Sequence, residues 1–208
     1  MSAVINALRF ADGEAYLGRE GLQSERHAYI GGEIWPMTGV RAAHNASTLD
    51  ALNFLRMALK GKPGRGYGSD LKRHINAAGD CLYLDAIVTG DPRDRQAGVD
   101  RFISRPWLIA EVLSDNTAVH DRGRKFEIHR HSDTLTHCLL IEQNRPHAEL
   151  FFKNELAQSV LQPLAASNAM QIDAPVQPWP VASPFEDVDF SPPAPSPSST
   201  PLPPPPPA

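Results

Sequence analysis

The sequence has few cysteines and no long apolar segment. Cys81 and Cys138 form no CxxC pair and indicate no disulfide framework. No apolar run approaches the roughly 20 residues that a membrane-spanning helix needs, and the N-terminus lacks the basic and apolar regions of a secretory signal. These absences argue against a secreted disulfide-rich domain and against a membrane protein, so we expect a cytoplasmic protein.

Basic residues are missing from the C-terminal quarter, because Lys153 is the last of the 20 lysines and arginines. The chain is near neutral before that point and acidic after it. A strongly basic domain would be the clearer sign of nucleic-acid binding, so net charge alone does not indicate that partner. A composition of 41% hydrophobic and 21% charged residues indicates one globular domain with its own core.

The C-terminal end departs from this composition. Residues 191–208 contain ten prolines and no charged residue, which favours an extended chain over a packed element. We predict a folded domain at 1–154, a partly ordered extension at 155–190 and a disordered tail at 191–208. A proline-recognising partner for the tail is the less favoured interpretation, because composition is a weak signal.

Apolar patterning predicts the elements of the first half. The segment HAYIGGEIWPMTG indicates a hairpin that turns at Gly31–Gly32. The segment NASTLDALNFLRMALKG predicts a helix that begins near Ser47, because Ser47 and Asp50 resemble a capping box. Its apolar face would consist of Leu49, Leu52, Leu55 and Leu59.

Three strand candidates follow: GYGSDLKRHI, DCLYLDAIVTG and residues 106–113. A helix from about Thr117 to His131 and two strands around QNRP complete the pattern. This order predicts an α/β or α+β fold, with a mixed central β-sheet flanked by helices and an N-terminal hairpin.

Each of the three strand candidates carries one acid near its middle, at Asp70, Asp85 and Glu111. A carboxylate is rarely buried without a partner, because its desolvation costs several kcal/mol. If the strands are neighbours, these groups converge, and like charges at that distance call for a cation. Carboxylate oxygens suit Mg²⁺, so the pattern predicts a magnesium site.

Lys125 permits two interpretations. It follows Asp121 by four residues, a spacing typical of a weak surface salt bridge on a helix. Beside a carboxylate cluster, its ammonium group would instead orient a water or a phosphate.

Five segments resemble the Uma-type family of restriction endonucleases, within the PD-(D/E)XK nuclease superfamily, over about residues 10–153. They are HAYIGGEIWPM, HNASTLDALNFL, SDLKRHI, LYLDAIVTGDPRD and PWLIAEVLSDNTAVHDRGRKFEIHR. The resemblance implies a restriction-endonuclease-like core that hydrolyses phosphodiester bonds of DNA with Mg²⁺ or Mn²⁺. It also suggests a homodimer for double-strand cutting.

The resemblance assigns roles to individual residues. Asp85 matches the metal-binding aspartate, Glu111 the second acidic ligand, and Lys125 a catalytic lysine displaced onto the following helix. Asp70 is expected to assist as a metal ligand. The candidate supporting residues are Glu33, His44 and Asp121.

Two departures from the superfamily pattern keep a second interpretation open. Leu113 occupies the position of the usual strand lysine, and Leu84 that of the proline before the aspartate. The alternative is a non-catalytic or decayed nuclease-like fold that acts as an interaction module.

Other chemical groupings are weaker. Ser114, His120 and Asp121 offer the residue types of a hydrolase triad, but no GxSxG elbow is present. The histidines His129, His131 and His137, with Cys138, fit no common zinc spacing, and we expect the histidines to be exposed. One basic cluster fits a nucleic-acid backbone and solvated surface charge equally well: Arg56, Lys60, Lys62, Arg65, Lys72 and Arg73.

Deletion of residues 191–208 is expected to leave the melting temperature unchanged. This segment holds too little apolar surface to offset the entropy of ordering it. Thermal melts of the full-length and truncated proteins check the prediction, and a clear drop in melting temperature would show that the tail docks on the domain.

Overall fold

The structure is a computed structural model that describes residues 12–37, 41–75, 79–96, 102–114, 121–130, 132–165, 169–170 and 179–180. The proline-rich tail and most of the extension after residue 165 lie outside these ranges. Among the described helices, none combines the length and the hydropathy needed to cross a bilayer.

Strands dominate the described chain, and three helices interrupt them. The helices are α1 (Gly13–Glu20), α2 (Ala42–Ala58) and α3 (Phe126–Arg130). A 3-10 turn spans Pro92–Arg95 and one π-helical turn, Asp121–Lys125, leads into α3. The strands are β1 (His27–Ile30), β2 (Glu33–Pro36), β3 (Arg65–Gly68), β4 (Lys72–His74), β5 (Cys81–Tyr83), β6 (Ala86–Thr89), β7 (Phe102–Ile103), β8 (Leu108–Leu113), β9 (His137–Glu142), β10 (His147–Lys153), β11 (Ser159–Ala165), β12 (Ala169–Met170) and β13 (Trp179–Pro180).

The strands form two main sheets. The five-stranded sheet has the order β2-β1-β5-β4-β7, and the six-stranded sheet has the order β11-β10-β9-β8-β6-β3. Within the described strands, only β4–β7 and β8–β9 pair in parallel. Both sheets are thus mixed, and the predicted α+β class is confirmed, although the strands divide between two sheets where one was expected.

The six-stranded sheet lies between two apolar layers. On one face, Ala51, Leu55 and Leu59 of α2 pack with residues such as Val88 and Leu108. On the other face, residues of the five-stranded sheet and α3 complete a second core. Removal of this apolar surface from water is the main force that holds the layers together.

The hairpin forms as predicted, because Gly31 and Gly32 adopt positive φ values of 59° and 86°. Glycine reaches this region without strain, which suits a tight two-residue turn. The two strands predicted around QNRP are also confirmed, as β9 and β10.

The predicted start of the second helix is wrong. Helix α2 begins at Ala42, so Ser47 is an interior residue with no exposed surface. The apolar face is also shifted, because Leu49 is 57% exposed and Ala51 is buried in its place. The capping-box pattern at Ser47 does not mark a helix start here, because the preceding residues from Ala42 onward are already helical.

Two predicted strands are each divided by a break. GYGSDLKRHI becomes β3 and β4, and DCLYLDAIVTG becomes β5 and β6, with the members of each pair in different sheets. Asp70 therefore lies in a turn, and Asp85 lies where the chain passes from one sheet to the other. Neither acid occupies the middle of a strand.

The C-terminal extension contributes to the six-stranded sheet. Strand β11 pairs with β10 from His147↔Ala165 to Lys153↔Ser159. The predicted division into segments stays a prediction, but the sheet continues beyond residue 154.

Gly13→Ala is expected to destabilise the fold, whereas Gly18→Ala on the same helix is expected to stabilise it slightly. A Cβ at Gly13 would lie 2.5 Å from the backbone Cα of Gly79, whereas a Cβ at Gly18 meets nothing within 4 Å. We expect a loss of about 1–3 kcal/mol for the first change and a gain of up to about 1 kcal/mol for the second. Urea denaturation measures both, and equal effects would contradict this contact.

Candidate active site

Strand β8 carries an acid in the most buried part of the sheet. It lies between β6 and β9, and all six of its residues are buried. Its side chains alternate, with Leu108, Ala110 and Val112 in the α2 core and Ile109 and Leu113 in the second core. Glu111 shares the face of Ile109 and Leu113 by this alternation, and it is 4% exposed.

Lys125 neutralises this buried carboxylate. Its Nζ donates a hydrogen bond to Oε1 of Glu111 at 3.0 Å, and Lys125 itself is 8% exposed. Strands β8 and β9 are parallel neighbours, so the chain between them must cross back over the sheet. That crossover contains the π-helical turn and α3, and it returns Lys125 to the face of Glu111.

The expected surface position of Lys125 is wrong, because its ammonium group is buried against Glu111. The side chain of Asp121 lies outside the described part of the structure. Spacing along the helix pointed to the nearest acid in sequence, whereas the partner that the structure describes is fourteen residues away in β8.

Asp85 lies beside β8, at the end of the β6–β8 ladder. Strands β6 and β8 pair Ala86 with Ala110 and Ile87 with Ile109. Asp85 directly precedes Ala86, so it lies just beyond the last residue pair of this ladder. The backbone N–H of Val112 donates to Oδ2 of Asp85 at 2.8 Å, which fixes the carboxylate to β8.

His44 approaches the same carboxylate from α2. Its Nε2 lies 3.5 Å from Oδ2 of Asp85, and its Nδ1 lies 3.5 Å from Oγ1 of Thr48. His44 and Thr48 are both buried. Helix, strand β8 and the β5–β6 junction thus each contribute a polar group to one place.

The other predicted site residues lie elsewhere or are not described. The carboxylate of Asp70 is 86% exposed and forms an ion pair with Arg26. Glu33 is half-buried at the start of β2, in the five-stranded sheet. His44 and the Val112 amide contact Asp85, Lys125 contacts Glu111, and Asp70 lies on the surface.

Sequence reasoning missed a second buried polar pair beside Lys125. Arg73 of β4 is fully buried and bonds to Nδ1 of His129, which is 2% exposed on α3. Burial holds the pKa of His129 well below its ordinary value, and the charges of Arg73 and Lys125 act in the same direction. His129 is therefore neutral at pH 7, so its Nδ1 accepts the hydrogen bond from Arg73.

The expected exposure of the histidines is wrong for the two that are described. His137 is 8% exposed and lies in β9, and His129 is buried more completely. His131 lies outside the described residues.

A separate acidic group was also missed. Ligand atoms of Glu142, His147 and Glu149 lie within 4.8 Å of one another. Arg122 bonds to both glutamates, and Arg145 bonds to Glu142. The pKa of Glu142 is lowered to about 2, first by its hydrogen bonds to Arg145. Guanidinium groups already neutralise these carboxylates, so the cluster is best described as an ion-pair network.

Residues 14–178 match the Uma2 family, described as "Putative restriction endonuclease". The chain belongs to this family. The resemblance predicted from the sequence is confirmed.

Two cyanobacterial relatives from Synechocystis sp. (strain ATCC 27184 / PCC 6803 / Kazusa) share this similarity. The uncharacterized protein slr1290 is 32% identical over 159 residues, which cover 76% of this chain and 83% of that protein. The uncharacterized protein sll1609 is 29% identical over 166 residues, or 80% of this chain and 94% of that protein.

A solved structure shows the same fold. It is a crystal structure of "a putative nuclease belonging to DUF820" from Anabaena variabilis ATCC 29413. It superimposes with a TM-score of 0.67 at 13% sequence identity, and the match covers 81% of this chain and 96% of that one.

Lys125→Met is expected to destabilise the protein by about 3–5 kcal/mol, because it leaves the charge of Glu111 buried without its partner. The double variant Glu111→Gln/Lys125→Met is expected to recover most of that loss, since both charges of the pair are then removed. Urea denaturation of the two single variants and the double variant gives the coupling energy. Lys60→Met, at an exposed position of the same residue type, is the control, and additive losses would contradict the ion pair.

Proposed function

We propose that this protein is a divalent-metal-dependent deoxyribonuclease that hydrolyses phosphodiester bonds of DNA. The observation that carries the proposal is that Asp85 accepts a hydrogen bond from the amide of Val112, the residue after Glu111, while Lys125 bonds to Glu111. Family membership supports the same reaction class. We further propose a cytoplasmic location, where DNA is accessible, and a homodimer for cleavage of both strands.

The donor set fits a magnesium ion. The carboxylates of Asp85, directly before β6, and of Glu111, in the neighbouring strand β8, offer hard oxygen ligands, and Mg²⁺ is commonly held by one or two carboxylates and a phosphate. Asp85 and Glu111 would hold the ion, and the exposed position of Asp70 leaves it out of this set. When bound, the ion would supply a water of lowered pKa and neutralise charge on the phosphate.

The remaining residues position these groups. The Val112 amide and His44 both contact Oδ2 of the Asp85 carboxylate. The Lys125 ammonium is preorganised at Glu111, where it would orient the attacking water and offset charge that develops on the phosphate. Burial excludes bulk water from this pair, which strengthens its electrostatic effect.

One observation favours a second candidate, a non-catalytic interaction module. The Lys125–Glu111 pair neutralises Glu111 without any metal ion, so a scaffold could retain it for stability alone. Calorimetric titration with Mg²⁺ or Mn²⁺ separates the two functions, because a scaffold has no reason to bind either ion.

Plasmid DNA is expected to be nicked or cut by the purified protein with Mg²⁺ or Mn²⁺ and to stay intact with a chelator. Asp85→Asn and Glu111→Gln should abolish cleavage, and Lys125→Met should lower it by about 10²-fold or more. Agarose gel assays over a time course measure the rates. Asparagine is preferred over alanine at Asp85, because its amide oxygen still accepts the bond from Val112.

The control is Asp133→Asn, which removes an exposed acid from the turn before β9 and should not change cleavage. Asp70→Asn tests whether Asp70 is a third metal ligand, as predicted from the sequence. Unchanged cleavage by this variant would exclude Asp70 from the ligands. Cleavage that persists in the chelator would contradict the metal-dependent mechanism.

A further inference from the structure

An open basic groove lies beside β3, the strand at one end of the six-stranded sheet. It is bordered by the C-terminal end of α2, the connection to β3, β3 itself and Arg95 of the 3-10 turn. No carboxylate occurs among the described residues that line it. Its five cationic residues are Arg56, Lys60, Lys62, Arg65 and Arg95.

Glycine residues in and before β3 create this groove. A Cβ at Gly66 would lie 3.2 Å from Cγ of Arg56, and a Cβ at Gly64 would lie 2.7 Å from Cδ2 of Leu59. Helix α2 can therefore rest directly on the edge of the sheet. This close approach brings the Arg56 of the helix next to the strand that carries Arg65.

Three exposed arginines outside the groove lie against carboxylates: Arg26 with Asp70, Arg93 with Asp91 and Arg145 with Glu142. These pairs neutralise their own charge. The cations of the groove line it without an acidic residue among them, so the groove attracts an anionic partner.

The same two elements connect the groove to the candidate active site. Gly68 of β3 pairs with Ala86, the residue after Asp85. Helix α2 carries His44 at Asp85, and Arg56 follows on that helix by about 18 Å of axis at 1.5 Å per residue. This length corresponds to about five nucleotides of one strand at 3.4 Å each.

We propose that this groove binds the phosphodiester backbone of duplex DNA on one side of the scissile position. The inference rests on the proposed function, and it adds the surface that positions the substrate. Backbone contacts of this kind give affinity and register without sequence preference. They also release counterions, so they make binding dependent on salt in proportion to the number of phosphates contacted.

The test compares two double variants that remove equal charge. Arg56→Gln/Arg65→Gln alters the groove, and Arg26→Gln/Arg145→Gln removes two exposed arginines elsewhere. Glutamine retains Cβ and Cγ, so the packing of Arg56 on Gly66 is preserved. Thermal melts establish that both variants are folded.

Binding of a labelled duplex of about 30 base pairs is measured by fluorescence anisotropy in a chelator, at about 50–200 mM salt. The groove variant is expected to lower the slope of log affinity against log salt by about 2, since each lost phosphate contact removes about 0.9. The control variant is expected to keep the wild-type slope. Because no metal is present, the result does not depend on cleavage.

The proposal that the groove binds DNA would be overturned if the two double variants gave equal slopes of log affinity against log salt. It would also be overturned if the wild-type protein bound no DNA. The same measurement is repeated with a labelled polyglutamate peptide in place of DNA. If the groove variant loses binding to the peptide but keeps the wild-type DNA slope, the proposal is overturned and the groove binds an acidic protein partner instead. Normal, groove-dependent DNA binding without any cleavage would contradict only the nuclease function.

Discussion

A carboxylate in the central strand of a sheet requires a counter-charge, and Lys125 supplies it to Glu111. The contact joins β8 to the crossover that leads to β9, so the crossover supplies the cation that the burial of Glu111 requires. A buried pair of this kind contributes little net stability compared with apolar residues, but loss of one partner is costly. The pair therefore fixes where the crossover returns to the sheet.

The second constraint is the passage of the chain between the sheets at Leu84 and Asp85. Leu84 is buried in the core between the layers, and Asp85 takes a hydrogen bond from β8 at the point where β6 begins. A polar residue is tolerated there because the ladder is incomplete at its end and the Val112 amide needs an acceptor. Asp85 at this junction therefore serves as the acceptor for the Val112 amide and is also a candidate metal ligand.

Much of this site could be predicted from the sequence, because its signals are local. An acid within LIAEVL had to be partnered, and a lysine on the next helix was available to partner it. Asp70 was misplaced because Gly68, Ser69 and Asp70 form a turn signal that the apolar residues on either side obscured. For the same reason β3 and β4 were predicted as one strand, and so were β5 and β6. The alternation of apolar and polar residues does not change where the chain passes from one sheet to the other.

Long-range contacts explain the remaining errors. The bond between Arg73 and His129 joins β4 to α3, and neither residue has a neighbour in sequence that would predict its burial. His44 could be singled out only through family resemblance, because a histidine near the start of a helix carries no spacing signal toward Asp85. The residues that were found from the sequence alone are those whose surroundings conflict with their own chemistry.

The hydrogen bond from Val112 to Asp85 has a further consequence. Most strand amides bond to a carbonyl of a neighbouring strand, but this amide donates to a carboxylate side chain. Its proton chemical shift therefore follows the electronic state of the Asp85 carboxylate and responds to protonation or to a cation bound there. A single backbone resonance in β8 serves as a spectroscopic sensor of the site, visible without substrate and without turnover.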